Sequence, residues 1–596
     1  MGTLRKMWVV LFYIGLVVCV TQYAEAAQTS EELNLPVDTT TRLAVRELRI
    51  SGNTLISTAE LLEYMPAVYN ASGEPLSRAD SQYLYDLRPI QEIVSAPGQP
   101  REVSLRTIQG LTQYILSVYQ ANNYSGIYVY VPEGAIKDGN RLENGILPIN
   151  ILEAPVSEVR IKYYDAERNE VEEGYLRRSA LEQWSPVQED KVASQQELDY
   201  LVNLLNLNPD RHVSAVVSRG AEPNTLAIQY DVYETNPWHF FIQADNSGTN
   251  ERQWAPRAGV INTNLLGFDD RLTTIYQADL DSIDENYSVF GNYDFPVLDP
   301  RLRLSLYGGY SEFDIDPESG PFNFLGSGTF YGAILRYNIY QEQDWFFDIT
   351  GSLSREESEI NSSAEELFGT DVFKSDIDME LWGIGVDIHH RDDMSNTSLT
   401  FNRVENFGGS DQEEFWDPTT FMGARWDAER DFAIYTFSAN HNQYLDQNKV
   451  DQLRTTFRWI EPSDRLVPAK MTSFGGMYTV RGYEEYEIVA DGGILASIQY
   501  EYDLVRHSQT VEQKTAANEE LKKLAPLVFF DYGRAKIESP VFGEESTQTL
   551  YSVGVGVAFE YGNNFSGAVY YGHPLKDTDD TDTGNGRISA SAMLRW

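Results

Sequence analysis

From Trp238 to Trp596 apolar residues recur at every second position, in segments of about ten residues bounded by Gly, Asp, Asn or Pro. The last segment is the clearest. Ile588, Ala590, Ala592, Leu594 and Trp596 share one face, and Ser589, Ser591, Met593 and Arg595 the other. Val553, Val555, Val557 and Phe559 likewise oppose Gly554, Gly556, Ala558 and Glu560. A period of two sends successive side chains to opposite faces of a strand. An apolar face against a small or polar one suits a barrel with lipid outside and water within. The frequent Tyr, Phe and Trp suit its interfacial girdles, and Trp596 supplies the aromatic end of a C-terminal barrel signal. About 360 residues, at about 22 per strand and connection, predict about 16 antiparallel strands over residues 235–596. A soluble sandwich would have to pack its apolar faces on each other, and would leave the girdles unexplained.

Upstream, the periodicity alternates between strand and helix. Residues 43–153 read as strand, helix, helix, strand, strand. Val45 to Ile50 alternates, Gly52-Asn53 turns, and Thr58 to Tyr64 is a short helix. Leu105, Ile108, Leu111, Ile115 and Val118 form one helical stripe. Ile127 to Val131 and Ile146 to Leu152 read as strands. Residues 154–234 repeat the theme: a strand through Val159, Ile161 and Tyr163, a helix through Leu198, Leu201, Leu204 and Leu205 ending before Pro209, and a strand through Leu226, Ile228, Tyr230 and Val232. The fold class expected is therefore an all-β transmembrane barrel preceded by two α+β domains.

Residues 1–26 read as a cleaved leader. Arg5 and Lys6 precede an apolar run from Met7 to Val20, shorter than a membrane span, and Ala24-Glu25-Ala26 is a small-x-small cleavage site. Cys19, the only cysteine, would leave with it, so an exported mature chain would hold no disulfide. No later run approaches the roughly 20 apolar residues of a helical span; only a closed barrel would then satisfy the backbone in lipid. The net charge of −44 argues against a nucleic-acid partner. It fits either a highly solvated acidic surface or acidic loops in a medium rich in divalent cations.

Val480-Arg481-Gly482-Tyr483 is the most informative motif, because of its neighbours. Phe474-Gly475-Gly476 precedes it, and Asp491-Gly492-Gly493, Glu501 and Phe529-Phe530-Asp531-Tyr532-Gly533 follow. Earlier come Asn264-Leu265-Leu266-Gly267-Phe268-Asp269-Asp270-Arg271 and Tyr293-Asp294-Phe295-Pro296. In this order, after two βααββ units, the set resembles the outer-membrane transporters of two-partner secretion (the TpsB or ShlB/FhaC/HecB family), in the superfamily of the barrel-assembly protein BamA. The resemblance implies that the two small domains are POTRA modules in the periplasm and that the barrel lies in the bacterial outer membrane. Its implied partners are a secreted exoprotein with an N-terminal secretion domain, outer-membrane lipid and, during biogenesis, the barrel-assembly machinery. It also implies that the VRGY loop folds into the lumen, with Arg481 meeting Asp531 between Phe529 and Gly533 on the wall. Alternation puts Asp531 and Phe529 on the face opposite Phe530 and Tyr532, and Gly482 allows a tight turn.

Two departures from the family pattern stand out. The first module carries an insertion near Ala79 to Arg101. The extension at residues 27–42 is polar, contains Pro36, and lacks the amphipathic pattern of the pore-plugging helix that many members carry.

No phosphate loop, HExxH or GxSxG motif is present, so neither enzyme nor cofactor is expected. His389 and His390 would face opposite sides of a strand and not chelate together. Asp577, Asp579, Asp580 and Asp582 lack the spacing of an EF-hand and read as a solvated loop. The leading functional expectation is an exoprotein transporter. Alternatives are a BamA-like or TamA-like insertase, disfavoured by having two POTRA modules, and a passive porin, which has no need of the VRGY set.

Overall fold

A computed structural model describes residues 35–72, 80–137, 140–247, 254–278, 280, 287–315, 324–362, 375–420, 422–512 and 520–596. The expected leader with its cleavage site, residues 27–34 of the extension, and Ala79 lie outside them. The chain divides into two compact units. One runs up to Val159 and includes Val187–Gln196 and Val217–Ile228. The other holds Arg160–Pro186, Glu197–Val216 and Gln229–Trp596.

In the first unit, strand Ile146–Glu153 lies between Glu47–Ser51, parallel to it, and Ile127–Tyr130, antiparallel. Helices Thr58–Glu63 and Leu105–Ala121 bury Leu61, Ile108, Leu111 and Ile115 against Leu147, Ile149 and Ile151. Ser57 and Glu60 form a capping box that starts the shorter helix. The alternating run from Val45 to Ile50 is not one strand. Arg42–Val45 pairs with Arg101–Ser104, whereas Glu47–Ser51 joins the central sheet. Two sheets claim one apolar run, and the break falls at Arg46, whose backbone bonds to Gly145 and Gly98. In the expected insertion, strand Leu84–Asp86 pairs with the earlier Val68–Asn70, and helix Arg88–Ser95, with the residue before it, adds Leu87, Ile90 and Ile93 to the core.

The turn after Gly52 is pinned by Glu153. Its carboxylate accepts from Thr54 N at 2.9 Å, Leu55 N at 3.0 Å and the Tyr119 hydroxyl at 2.7 Å. Burial alone would raise its pKa, but these hydrogen bonds outweigh burial and hold it below the ordinary carboxylate value. A depressed folded-state pKa gives stability that is complete above the ordinary value and is lost as pH falls through the folded one. Glu153→Gln is expected to cost about 1.5–3 kcal/mol at neutral pH, and to cost progressively less under acid. Urea unfolding at neutral and acidic pH checks this; an equal difference at every pH would count against it.

A four-stranded sheet in the order Glu170–Val171, Val156–Tyr164, Leu226–Glu234, Arg211–Arg219 carries helices Arg178–Trp184 and Gln195–Leu205. The second helix buries Leu198, Leu201, Leu204 and Leu205 and ends ahead of Pro209.

The remaining strands close into an antiparallel barrel: β1 (Trp238–Asp245), β2 (Ala255–Asn262), β3 (Arg271–Ala278), β4 (Tyr287–Pro296), β5 (Leu302–Ile315), β6 (Phe324–Glu342), β7 (Trp345–Ser362), β8 (Ser375–Arg391), β9 (Ser395–Gly409), β10 (Ala433–Tyr444), β11 (Asp451–Pro462), β12 (Gly492–Tyr502), β13 (Leu521–Lys536), β14 (Thr547–Tyr561), β15 (Phe565–Pro574) and β16 (Arg587–Arg595). Sixteen strands agree with the length arithmetic. Strand length does not keep to ten residues: β6, β7 and β8 have 19, 18 and 17. Their pairing continues through charged positions such as Arg355, Glu357 and Asp378, so the ladder outruns the apolar band. Register closes the ring where Phe241 to Asp245 pair with Arg595 to Ser591, and Trp596 stacks on Phe240.

Val528, Phe530, Val553, Val555 and Val557 stand exposed on the outer wall, whereas Phe529 and Asp531 are buried on the inner one. Among the described residues no helix is long and apolar enough to cross a membrane; the strands carry the apolar band. The connection between β12 and β13 contains the helix Leu504–Glu512, which the strand pattern did not announce.

Candidate functional site in the barrel lumen

The connection between β11 and β12 is long and turns inward. It contains a small hairpin, Thr472–Phe474 paired with Ile488–Ala490, and the VRGY motif lies between these strands. Gly475, Gly476 and Gly482 have φ of 105°, 94° and 101°, a region closed to most side chains.

At the tip, the Arg481 guanidinium meets the Asp531 carboxylate in a paired fork, with Nε to Oδ2 and Nη2 to Oδ1 both at 2.8 Å. The Arg481 backbone N–H donates to the same carboxylate at 3.1 Å. Nη1 donates to Gln499 at 2.6 Å and Nη2 to Ser497 at 3.2 Å. The guanidinium carbon lies 3.5 Å from the Phe529 ring centroid and 5.1 Å from that of Tyr570. Asp531 is 0% exposed. All five wall residues belong to the inner rows of β12, β13 and β15.

The other motif residues make room for this contact. A Cβ on Gly533 would stand 2.8 Å from Val480 Cγ2, so the glycine accommodates the valine. Val480 and Tyr483 are buried with Phe474, Ile488, Ala535 and Leu550. The Tyr483 hydroxyl donates to the Lys576 carbonyl at 2.9 Å. The loop also reaches the opposite side of the ring closure, where the Tyr478 hydroxyl donates to Asp245 at 2.8 Å. Its roots are fixed by Arg425 on Asp491, at 2.5 Å, and by Arg465 forked on Glu544, at 2.6 Å for both bonds.

Four of the contacting residues, Ser497, Gln499, Tyr570 and Gly572, were not singled out from the sequence. A Cβ on Gly572 would lie 2.5 Å from Gly482 N, so backbone packs on backbone there. Ser497 and Gln499 share the inner face with Glu501 by simple alternation, a signal that could have found them. Gly572 had no local signal. His389 stacks on Phe346 and His390 on Trp345, on opposite faces of β8. Asp577 Oδ1 accepts from Thr583 N at 2.6 Å inside its own loop.

The comparisons with known proteins point one way. The sequence model of a family described as haemolysin secretion/activation protein ShlB/FhaC/HecB matches residues 226–559. No curated protein sequence matches. Among solved structures, CdiB from Escherichia coli aligns with a TM-score of 0.66 at 15% identity, covering 96% of this chain and 93% of its own. CdiB from Acinetobacter baumannii aligns with a TM-score of 0.62 at 15% identity, covering 98% and 97%. At such identity these likenesses speak for the fold.

Proposed function

Because this chain belongs to the ShlB/FhaC/HecB family of two-partner secretion transporters, we propose that it captures one unfolded exoprotein in the periplasm and passes it through the barrel to the cell surface. The observation that carries this reading is the loop folded into the lumen on the Arg481–Asp531 fork, a device that a passive pore does not need. Capture rests on strand addition, in which main-chain hydrogen bonds give affinity without strict sequence demand. Each α+β module offers an edge for it. Ile127–Tyr130 is an edge strand with Tyr128 and Tyr130 exposed, and Arg211–Arg219 is the edge of the four-stranded sheet. Folding of the passenger outside the cell supplies the drive. Outer-membrane lipid surrounds the barrel, and the barrel-assembly machinery inserts it.

The test is to express the chain with its exoprotein, intact and with residues 43–234 deleted. The intact chain is expected to deliver the exoprotein to the medium. The deleted form is expected to insert as a heat-modifiable barrel and deliver none. Normal secretion by the deleted form would overturn capture. A general loss of other outer-membrane proteins when the chain is depleted would favour the insertase reading instead.

A further inference from the structure

Two motifs of the sequence find no part in the lumen site: Asn264 to Arg271, and Tyr293 to Pro296. The structure brings both to one buried cluster of charges. Arg211, on the edge strand of the four-stranded sheet, has a side chain only 1% exposed. Its Nε donates to Glu234 at 2.9 Å and its Nη1 to Asp269 at 2.6 Å. Asp269 uses its other oxygen for Arg303 of β5, at 2.7 Å, and Arg303 donates onward to Asp294 of β4 at 2.6 Å. One carboxylate thus holds two guanidiniums, one from the second module and one from the barrel.

The rest of the two motifs shapes the turn that presents Asp269. Asp269 sits at φ 57°, and its N–H is held by Asn264 at 2.9 Å. Asp270 accepts from Leu266 N at 2.9 Å and from the Tyr293 hydroxyl at 2.8 Å. The same turn meets the module again, where Arg177 N donates to the Gly267 carbonyl at 2.9 Å and its guanidinium covers the Phe268 ring. Arg301 lies over Tyr200 beside it.

We propose that Asp269 is the positioning residue of a buried ionic bolt that fixes the second POTRA module rigidly to the β2–β3 turn and so sets the direction in which captured polypeptide is handed to the lumen. Buried pairs are stiff because each member is costly to leave unpartnered, and a shared carboxylate makes the joint cooperative. The handover rests on the transport reading; the rigidity of the joint does not.

The experiment places nitroxide labels at Gln183→Cys, exposed on helix Arg178–Trp184, and at Leu298→Cys, exposed between β4 and β5. Cys19, the only native cysteine, lies in the expected leader. Pulsed EPR distances and exoprotein secretion are read on the full chain. The unaltered joint should give one narrow distance. Arg211→Met and Asp269→Asn should each broaden it and cut secretion about tenfold or more, with heat-modifiability kept. Arg211→Lys should fall between, since it keeps the charge and loses the fork. If Arg211→Met unfolds its module, Asp269→Asn, which leaves the module's own residues unchanged, decides the matter. A broad distance without substitution, or a narrow one in both variants, would overturn the bolt. Broadened distances with normal secretion would overturn its positioning role. A failure of transport in the unsubstituted chain would strike the transport reading and leave the distances to judge the joint.

Discussion

Arg481→Ala is expected to abolish most secretion while a heat-modifiable barrel still reaches the membrane. The substitution leaves Asp531 fully buried with its cation gone, its carboxylate keeping only the Ser497 hydroxyl and the backbone N–H of position 481 as donors. Breaking a buried pair by deleting one partner costs on the order of 3 to 5 kcal/mol. The strands are untouched, so the penalty falls on the seating of the loop and not on the ladder. Asp531→Ala should give a similar defect for the converse reason, with the guanidinium left over Phe529 and bonded only to Gln499 and Ser497. Arg481→Lys should rescue in part, because a point charge cannot reproduce the two parallel bonds. If the two residues act as one unit, combining both alanines adds little to either alone. Additive losses of secretion in the double variant would refute the unit.

Gly572→Val should reproduce the Arg481→Ala defect without touching a charge. The added side chain must occupy space where the loop tip now lies 2.5 to 2.7 Å from a Cβ position, and all the atoms in the way are backbone. No rotamer relieves such a clash, and β15 is held on both sides by the ladder. The loop yields, carrying Arg481 off Asp531. Limited trypsinolysis of whole cells reads this directly. The Arg481–Gly482 bond is buried in the native chain and should resist, and it should be cut in Gly572→Val. Resistance equal to the native chain, with normal secretion, would mean that the contact bears no weight.

The outer shell of this architecture was written plainly in the sequence, and the joints were not. Alternation from Trp238 onward specifies strands because lipid and water impose opposite demands on successive residues. It does not say where lipid stops. The ladder of β6 to β8 therefore continues through Arg355 and Glu357, where the apolar alternation seen in the valines of β14 has stopped. The run from Val45 to Ile50 carried one apolar pattern, yet the register serves two sheets. For the lumen site, the inward face of Asp531 follows from period two. The meeting of residues 50 apart in sequence came with the family resemblance alone. Arg211 and Asp269, 58 residues apart, had no such guide. A lone Arg and an Asp-Asp turn each have an ordinary solvated reading until tertiary structure removes the water.

The lumen loop is joined to the wall at both of its roots as well as at its tip. Whatever pulls Arg481 off Asp531, the segment stays attached to β11 and β12 and so remains within its own length of the seat. For a tethered group the local concentration is of millimolar order. Reseating is therefore a first-order event, indifferent to how many copies the cell holds. On the transport reading proposed above, the seat that the loop leaves and regains belongs to the same polypeptide as the barrel.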